Sequence, residues 1–187
     1  FGTTIPGIFM DEPSAGGLLP YTDEVVAKFK EIRGYDVTDY YYKLSSEYYG
    51  DGKKVRRDYI ETITRLFCDN FISPITQWCE RHGLESTGHF YGEEDPLSGS
   101  LCAQSVYRQI KLMGIPGFDI IGRYVGDREH CALILGAKIV VSAAIQSGKK
   151  RILAECFALN PFNYGYDGLR KPADWLFACG IDTFAPH

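Results

Sequence analysis

The chain has no long run of basic residues, no long uninterrupted apolar stretch and no CxxC spacing, and each absence removes a class of function. Acidic residues number 24 against 20 Lys and Arg, giving a formal charge of −4, so an extended nucleic-acid contact has no electrostatic footprint. The longest apolar run, near 132–145, is broken by Lys138 and Ser142 and is too short to cross a membrane. No secretory leader is visible; in a longer parent one would precede residue 1 unseen. Only four histidines occur, with no HExxH, which argues against a zinc centre. No GxSxG announces a serine nucleophile, and the first strand runs into DEP where a dinucleotide fold would carry GxGxxG. The six cysteines, at 68, 79, 102, 131, 156 and 179, lie inside apolar helical or strand patterns. They read as buried thiols of a reducing, cytoplasmic compartment, although an even count also admits disulfides.

What is present is a repeated form. LESTGHFYGEEDP (84–96) begins as a short strand and stops at a His, two aromatics, a Gly and two adjacent carboxylates. GIFMDEP (7–13) ends in Asp11, Glu12 and Pro13, and RILAECFALN (151–160) carries Glu155 within an apolar run. Three carboxylate-bearing strand ends, separated by helical segments, predict one site assembled from distant parts of the chain. Thirteen Tyr and eleven Phe provide rings and hydroxyls suited to carbohydrate as well as to packing.

Between these strands the signals are helical. Thr22 is placed to cap DEVVAKFKEIR and Gly34 to stop it, and Asp36 or Thr38 starts a second short helix. Residues 53–83 have apolar groups at three- and four-residue spacing, with Pro74 expected to kink or split the helix and His82-Gly83 to end it. Further helices are expected near 100–113, 126–150 and 172–179, with strands at GIPGFDII, 151–158 and 181–186. Alternation without a hairpin predicts a parallel α/β sheet with outer helices. Polar residues at several strand ends favour a (β/α)₈ TIM barrel over an open sheet, of which about five strands would be present. Because 1–10 approach a strand and 181–187 end in one, residues 1–187 read as a fragment of a single barrel domain lacking some strands.

Glycosidic hydrolysis needs one carboxylic acid to protonate the leaving oxygen and one carboxylate to activate water or attack carbon. Glu94 and Glu155 are the leading pair, with Glu93 a direct competitor to Glu94. Helix capping for Glu94 and pairing with Arg151 for Glu155 are the structural alternatives. Asp11 and Glu12 are candidates for hydroxyl binding, for a hard metal such as calcium, or for the general acid, and a turn cap would explain them too. His89 and His187 each end a strand, where an imidazole could bind a sugar hydroxyl; His82 and His130 read as structural. Tyr91 and Phe90 could wall a sugar subsite, Asp119 could bind a hydroxyl or cap a turn, and Trp78 and Trp175 read as core.

Taken in order, FMDEP, PYTDEVVAKFKEIRGYDV, VRRDYIETITRLFCDNFISPITQWCERHGL, TGHFYGEE, PGFD, AECFA and ADWLFACGIDTFAPH resemble the catalytic barrel of the glycoside hydrolase family 106 group of α-L-rhamnosidases. The resemblance implies inverting, calcium-assisted removal of terminal L-rhamnose, with no organic cofactor. It implies Glu94, or Glu93, as acid and Glu155 as base, Asp11 and Glu12 at the substrate or ion site, and His187 at the sugar. Accessory β-sandwich domains and the rest of a parent polypeptide would lie outside this chain. Ala154 stands where relatives more often carry Ser before the Glu, which leaves the subgroup and substrate open. The competing readings are a non-catalytic carbohydrate-binding protein and another barrel hydrolase or aldolase. The aldolase lacks a lysine at a strand end.

Overall fold

The computed structural model describes residues 1–17, 19–44, 52–93, 105–122, 125, 128–129, 131–161 and 163–187, with the side chains of 131 and 132 left aside. Five short strands are present among them: β1 (Gly7–Met10), β2 (Glu85–Gly88), β3 (Gly117–Ile120), β4 (Leu153–Cys156) and β5 (Thr183–Pro186). β1 pairs with β2, and β3, β4 and β5 form a second sheet in that order, every pairing parallel. Parallel neighbours require crossover segments, which are supplied by helices. The helices are α1 (Asp23–Arg33), α2 (Tyr41–Leu44), α3 (Gly52–Phe67), α4 (Ser73–Arg81), α5 (Val106–Ile110), α6 (Cys131–Gln146) and α7 (Gly165–Cys179).

The barrel expectation is overturned. Among the described residues the strands make one two-stranded and one three-stranded sheet, too few for a (β/α)₈ barrel, and neither sheet is closed. Apolar runs alternating with amphipathic helices specify parallel pairing and helical cover, and closure leaves no mark in that alternation. The sheets meet at one corner, where Ile115 N donates to Ser86 O at 2.9 Å and Thr87 Oγ1 donates to Ile115 O at 2.9 Å.

Local chemistry explains the helix boundaries. Thr22 Oγ1 accepts from Val25 N at 3.1 Å, and Gly34 stops α1 at φ 77°, donating to Lys30 O. Asp36 caps the 3₁₀ turn Val37–Tyr40 that leads into α2. The long periodic stretch divides at a π-helical turn, Cys68–Ile72, just ahead of Pro74 in the first turn of α4, where a missing N–H costs least. α7 begins seven residues before the expected start and contains Pro172. No helix among the described residues is long and apolar enough to cross a membrane.

Alternation along β3 and β4 sorts the side chains. Phe118, Ile120, Ala154 and Cys156 join a core with Ala137, Val140, Ala143 and Ala144 of α6 and Leu176 and Cys179 of α7. The small residues of α6 let that helix lie close on the sheet. A second cluster, Phe29, Val37, Leu44, Val55, Tyr59 and Ile63, joins α1, α2 and α3. Asp119 and Glu155, paired in register, take the opposite face of the sheet from the core.

Candidate functional site

All five strands being parallel within their sheets, their last residues and exit loops collect polar groups at the C-terminal edge, where α/β folds place ligands. β1 delivers Asp11 and Glu12, β2 delivers His89, β3 carries Asp119, β4 carries Glu155, and β5 delivers His187. His89 is the hub. Its side chain is 2% exposed, and Nε2 lies 2.8 Å from Glu155 Oε2 and 3.3 Å from Asp11 Oδ1. With Glu155 ionised, Nε2 holds the shared proton and donates it, because a carboxylate can only accept. Glu155 Oε1 faces His187 Nδ1 at 3.1 Å, so imidazoles from β2 and β5 flank the two oxygens of one carboxylate.

Solvent reaches one side of this arrangement. The Asp11 and His187 side chains are 78% and 72% exposed, while Glu155 is 16% exposed between them. The Phe9 ring, itself exposed, meets His89 edge-on at 5.6 Å and extends an apolar wall from the hub. A cavity of about 220 Å³ lies at the starts of β1, β2 and β4, lined by Gly7, Phe9, Glu85, Arg151 and Leu153 among others, and none of the cluster's carboxylates or imidazoles lines it.

Glu93 occupies a different setting from the other acids. Its Oε2 accepts from Phe90 N at 2.5 Å and its Oε1 from Asp119 N at 2.6 Å, with the side chain 2% exposed. Oε1 also lies 3.7 Å from His89 Nδ1, too far for a hydrogen bond. Tyr91 is exposed on the same exit loop. Glu94, the expected acid, lies outside the described residues, as does His130.

Two overlapping triads have donor atoms within 4.8 Å of one another: Asp11, His89 and Glu155, and Glu12, His89 and Asp119. Each triad sets two carboxylates beside one imidazole, a mixed oxygen and nitrogen donor set. Cys156 follows Glu155 but faces the core. Burial, reinforced by the charges of Asp119 and Glu155, pushes its thiol up to about 12, so it packs as a neutral group.

Reading the sequence named every carboxylate and imidazole of this cluster as a candidate. It missed Phe9 as part of the wall and the close approach between strands. An ideal Cβ on Gly88 would stand 2.0 Å from Met10 O, and one on Gly117 would stand 1.9 Å from Gly88 O. The available signal was a glycine within each strand pattern, which marks close backbone approach. His82, expected to be structural, stacks on Trp78 at 4.1 Å and hydrogen-bonds its carbonyl oxygen.

No family model and no curated protein matches the chain. A solved structure titled as a rhamnosidase from Novosphingobium sp. PP1Y shares its fold over 89% of this chain, with a TM-score of 0.68 and 18% sequence identity. At that identity the likeness is one of fold. The chain spans 16% of the length of that protein.

Proposed function

We propose that the chain carries a glycoside-hydrolase site acting on terminal α-L-rhamnosyl or similar residues through two carboxylates. The observation that supports this most is Glu155, held between His89 and His187 at a solvent-open edge where Asp11, Glu12 and Asp119 also converge. The fold shared with a protein titled as a rhamnosidase supports the substrate class.

In this reading Glu155 is the base that activates water, and the imidazoles hold its two oxygens in fixed directions. Inversion requires the acid to stand about 6.5–9.5 Å from the base, leaving room for that water. Asp11 approaches within 4.8 Å of Glu155 on a shared imidazole, too near for that role, so we assign the acid to Glu94 on the sequence pattern. Asp11, Glu12, Asp119, His187 and Tyr91 would bind sugar hydroxyls. A calcium ion beside His89, held by oxygens of Glu12 and Asp119, would offset their mutual repulsion and polarise hydroxyl oxygens.

The test is hydrolysis of 4-nitrophenyl α-L-rhamnopyranoside by the purified chain, with the product anomer followed by NMR. Glu155→Gln and Glu94→Gln should each lower kcat by about 10²–10⁴-fold. Unchanged kcat in Glu155→Gln would remove the assignment. Rhamnose binding without turnover in the parent would favour a carbohydrate-binding protein.

A further inference from the structure

We infer that Glu93 is a positioning residue: its buried carboxylate bridges the backbone after β2 to the backbone of β3 and so fixes His89 against Glu155. This goes beyond the hydrolase reading and depends on it only for its kinetic test.

The two sheets share no strand ladder, yet His89 belongs to the exit of β2 and Glu155 to β4 in the other sheet. Their 2.8 Å contact therefore spans a junction that strand pairing does not hold. Near the N-terminal ends of β2 and β3 that junction is tied by Ser86 and Ile115. At the C-terminal edge it is crossed by Glu93. Oε2 accepts from Phe90 N, the amide directly after His89, and Oε1 accepts from Asp119 N inside β3, two residues beyond the close-approach position Gly117.

The Asp119 amide thus points into the gap and finds a side-chain acceptor there. A carboxylate this buried would cost several kcal/mol without partners, and charge-assisted bonds from two amides answer that cost while making the geometry directional. Both oxygens being turned toward backbone amides, Glu93 is oriented for support of the site and away from sugar contact. Loosening it would free the β2 exit, and with it the imidazole that meets Asp11 and Glu155.

Glu93→Gln tests this. The amide side chain offers one carbonyl oxygen where two acceptors are needed, and its NH₂ would face a backbone N–H. Amide exchange at Phe90 and Asp119 should quicken at least about tenfold, since each such bond carries more than about 1.4 kcal/mol. The ¹⁵N resonances of the His89 ring should move. On the rhamnoside, kcat should fall about 100-fold while KM changes less than about threefold, as expected for misplacement of the base by about 1 Å.

An unmoved His89 ring, or an unchanged kcat in a folded variant of an active parent, would overturn the positioning role and leave Glu93 a purely structural tie. Should Glu93→Gln not fold, couplings across the hydrogen bonds from Glu93 Cδ to the amide nitrogens of Phe90 and Asp119 decide in the parent, their absence overturning the inference. If the parent hydrolyses no rhamnoside, the hydrolase reading falls, and the His89 resonances still decide the role of Glu93.

Discussion

Replacing Gly88 by alanine should damage both stability and the candidate site, and the structure gives the size of the effect. Gly88 has φ 134°, and a Cβ built there stands 2.0 Å from Met10 O and 2.8 Å from Met10 C, both backbone atoms of β1. Relief to an ordinary carbon–oxygen contact near 3.3 Å requires the strands to part by more than about 1 Å. Overpacking of this kind costs about 1–3 kcal/mol, and the sparsely allowed φ adds about 1–3 kcal/mol. A glycine in a similarly positive φ but open space isolates the second part. Gly34, at φ 77° with no atom within 4 Å of its would-be Cβ, should lose only about 1–2 kcal/mol as alanine. Urea unfolding followed by fluorescence is the assay. With a slope near 2 kcal/mol per molar, Gly88→Ala should unfold about 1 M below Gly34→Ala. Met10 O also accepts from His89 N at 3.2 Å, so the same displacement moves the hub of the site and should reduce kcat about 100-fold. Equal midpoints for the two variants would refute the close-approach argument.

Acid should weaken the helical part of the chain through Asp58. Burial raises its pKa, but hydrogen bonds from Lys54 and Tyr35 and the charge of Arg33 outweigh it and hold the carboxyl below its ordinary value. Its contribution is therefore complete above the unfolded pKa near 3.9 and lost as pH falls through the lower folded value; melting of Asp58→Asn against the parent from pH 6 to 2 should show a difference that narrows over the acid end. Thr22→Ala, which removes the cap of α1, should cost about 1 kcal/mol in the same unfolding assay, and no loss would mean that the Thr22 bond to Val25 N is not retained in solution. Calcium at about 100 times its dissociation constant should add about 2.7 kcal/mol, raising Tm by several degrees. A shift with zinc and none with calcium would show that the His89 nitrogen is a principal ligand and overturn the calcium assignment.

The elements most legible in the sequence are those set by local chemistry. Thr22 and Gly34 bound α1 as a hydroxyl acceptor and a left-handed stop should, and His82-Gly83 ends α4 just before β2. Long-range relations were less legible. Carboxylates at strand exits were visible as candidates, but neither the pairing of Asp119 with Glu155 nor the path of His89 to Glu155, 66 positions apart, is written in any local pattern. The division of five strands into two sheets is equally non-local, since a parallel strand and its crossover helix read the same in an open sheet and in a closed barrel. Glu93 and Glu94 are chemically identical neighbours. What separates Glu93 is a pair of backbone amides, one of them from a strand 26 residues further on.

Backbone strain collects at the same edge as the candidate site. Among the described residues the non-glycine positions with positive φ are Glu12 at 46°, Phe157 at 75° and Leu159 at 56°. All three follow β1 or β4, the strands that deliver Asp11 and Glu155, and Gly88 at 134° immediately precedes His89. Each strained non-glycine residue costs on the order of 1–3 kcal/mol and persists only where its surroundings over-determine it. Buried neighbours anchor two of the three, Met10 ahead of Glu12 and Cys156 ahead of Phe157, while Leu159 is exposed. The same edge crowds Asp11, Glu12, Asp119 and Glu155 around one imidazole, an arrangement in which like charges repel. Strain and repulsion at one edge both oppose folding, and the apolar cores elsewhere offset them. Strain and clustered charge at one strand edge cost stability that packing alone does not repay, which is the physical ground for treating this edge as the candidate site.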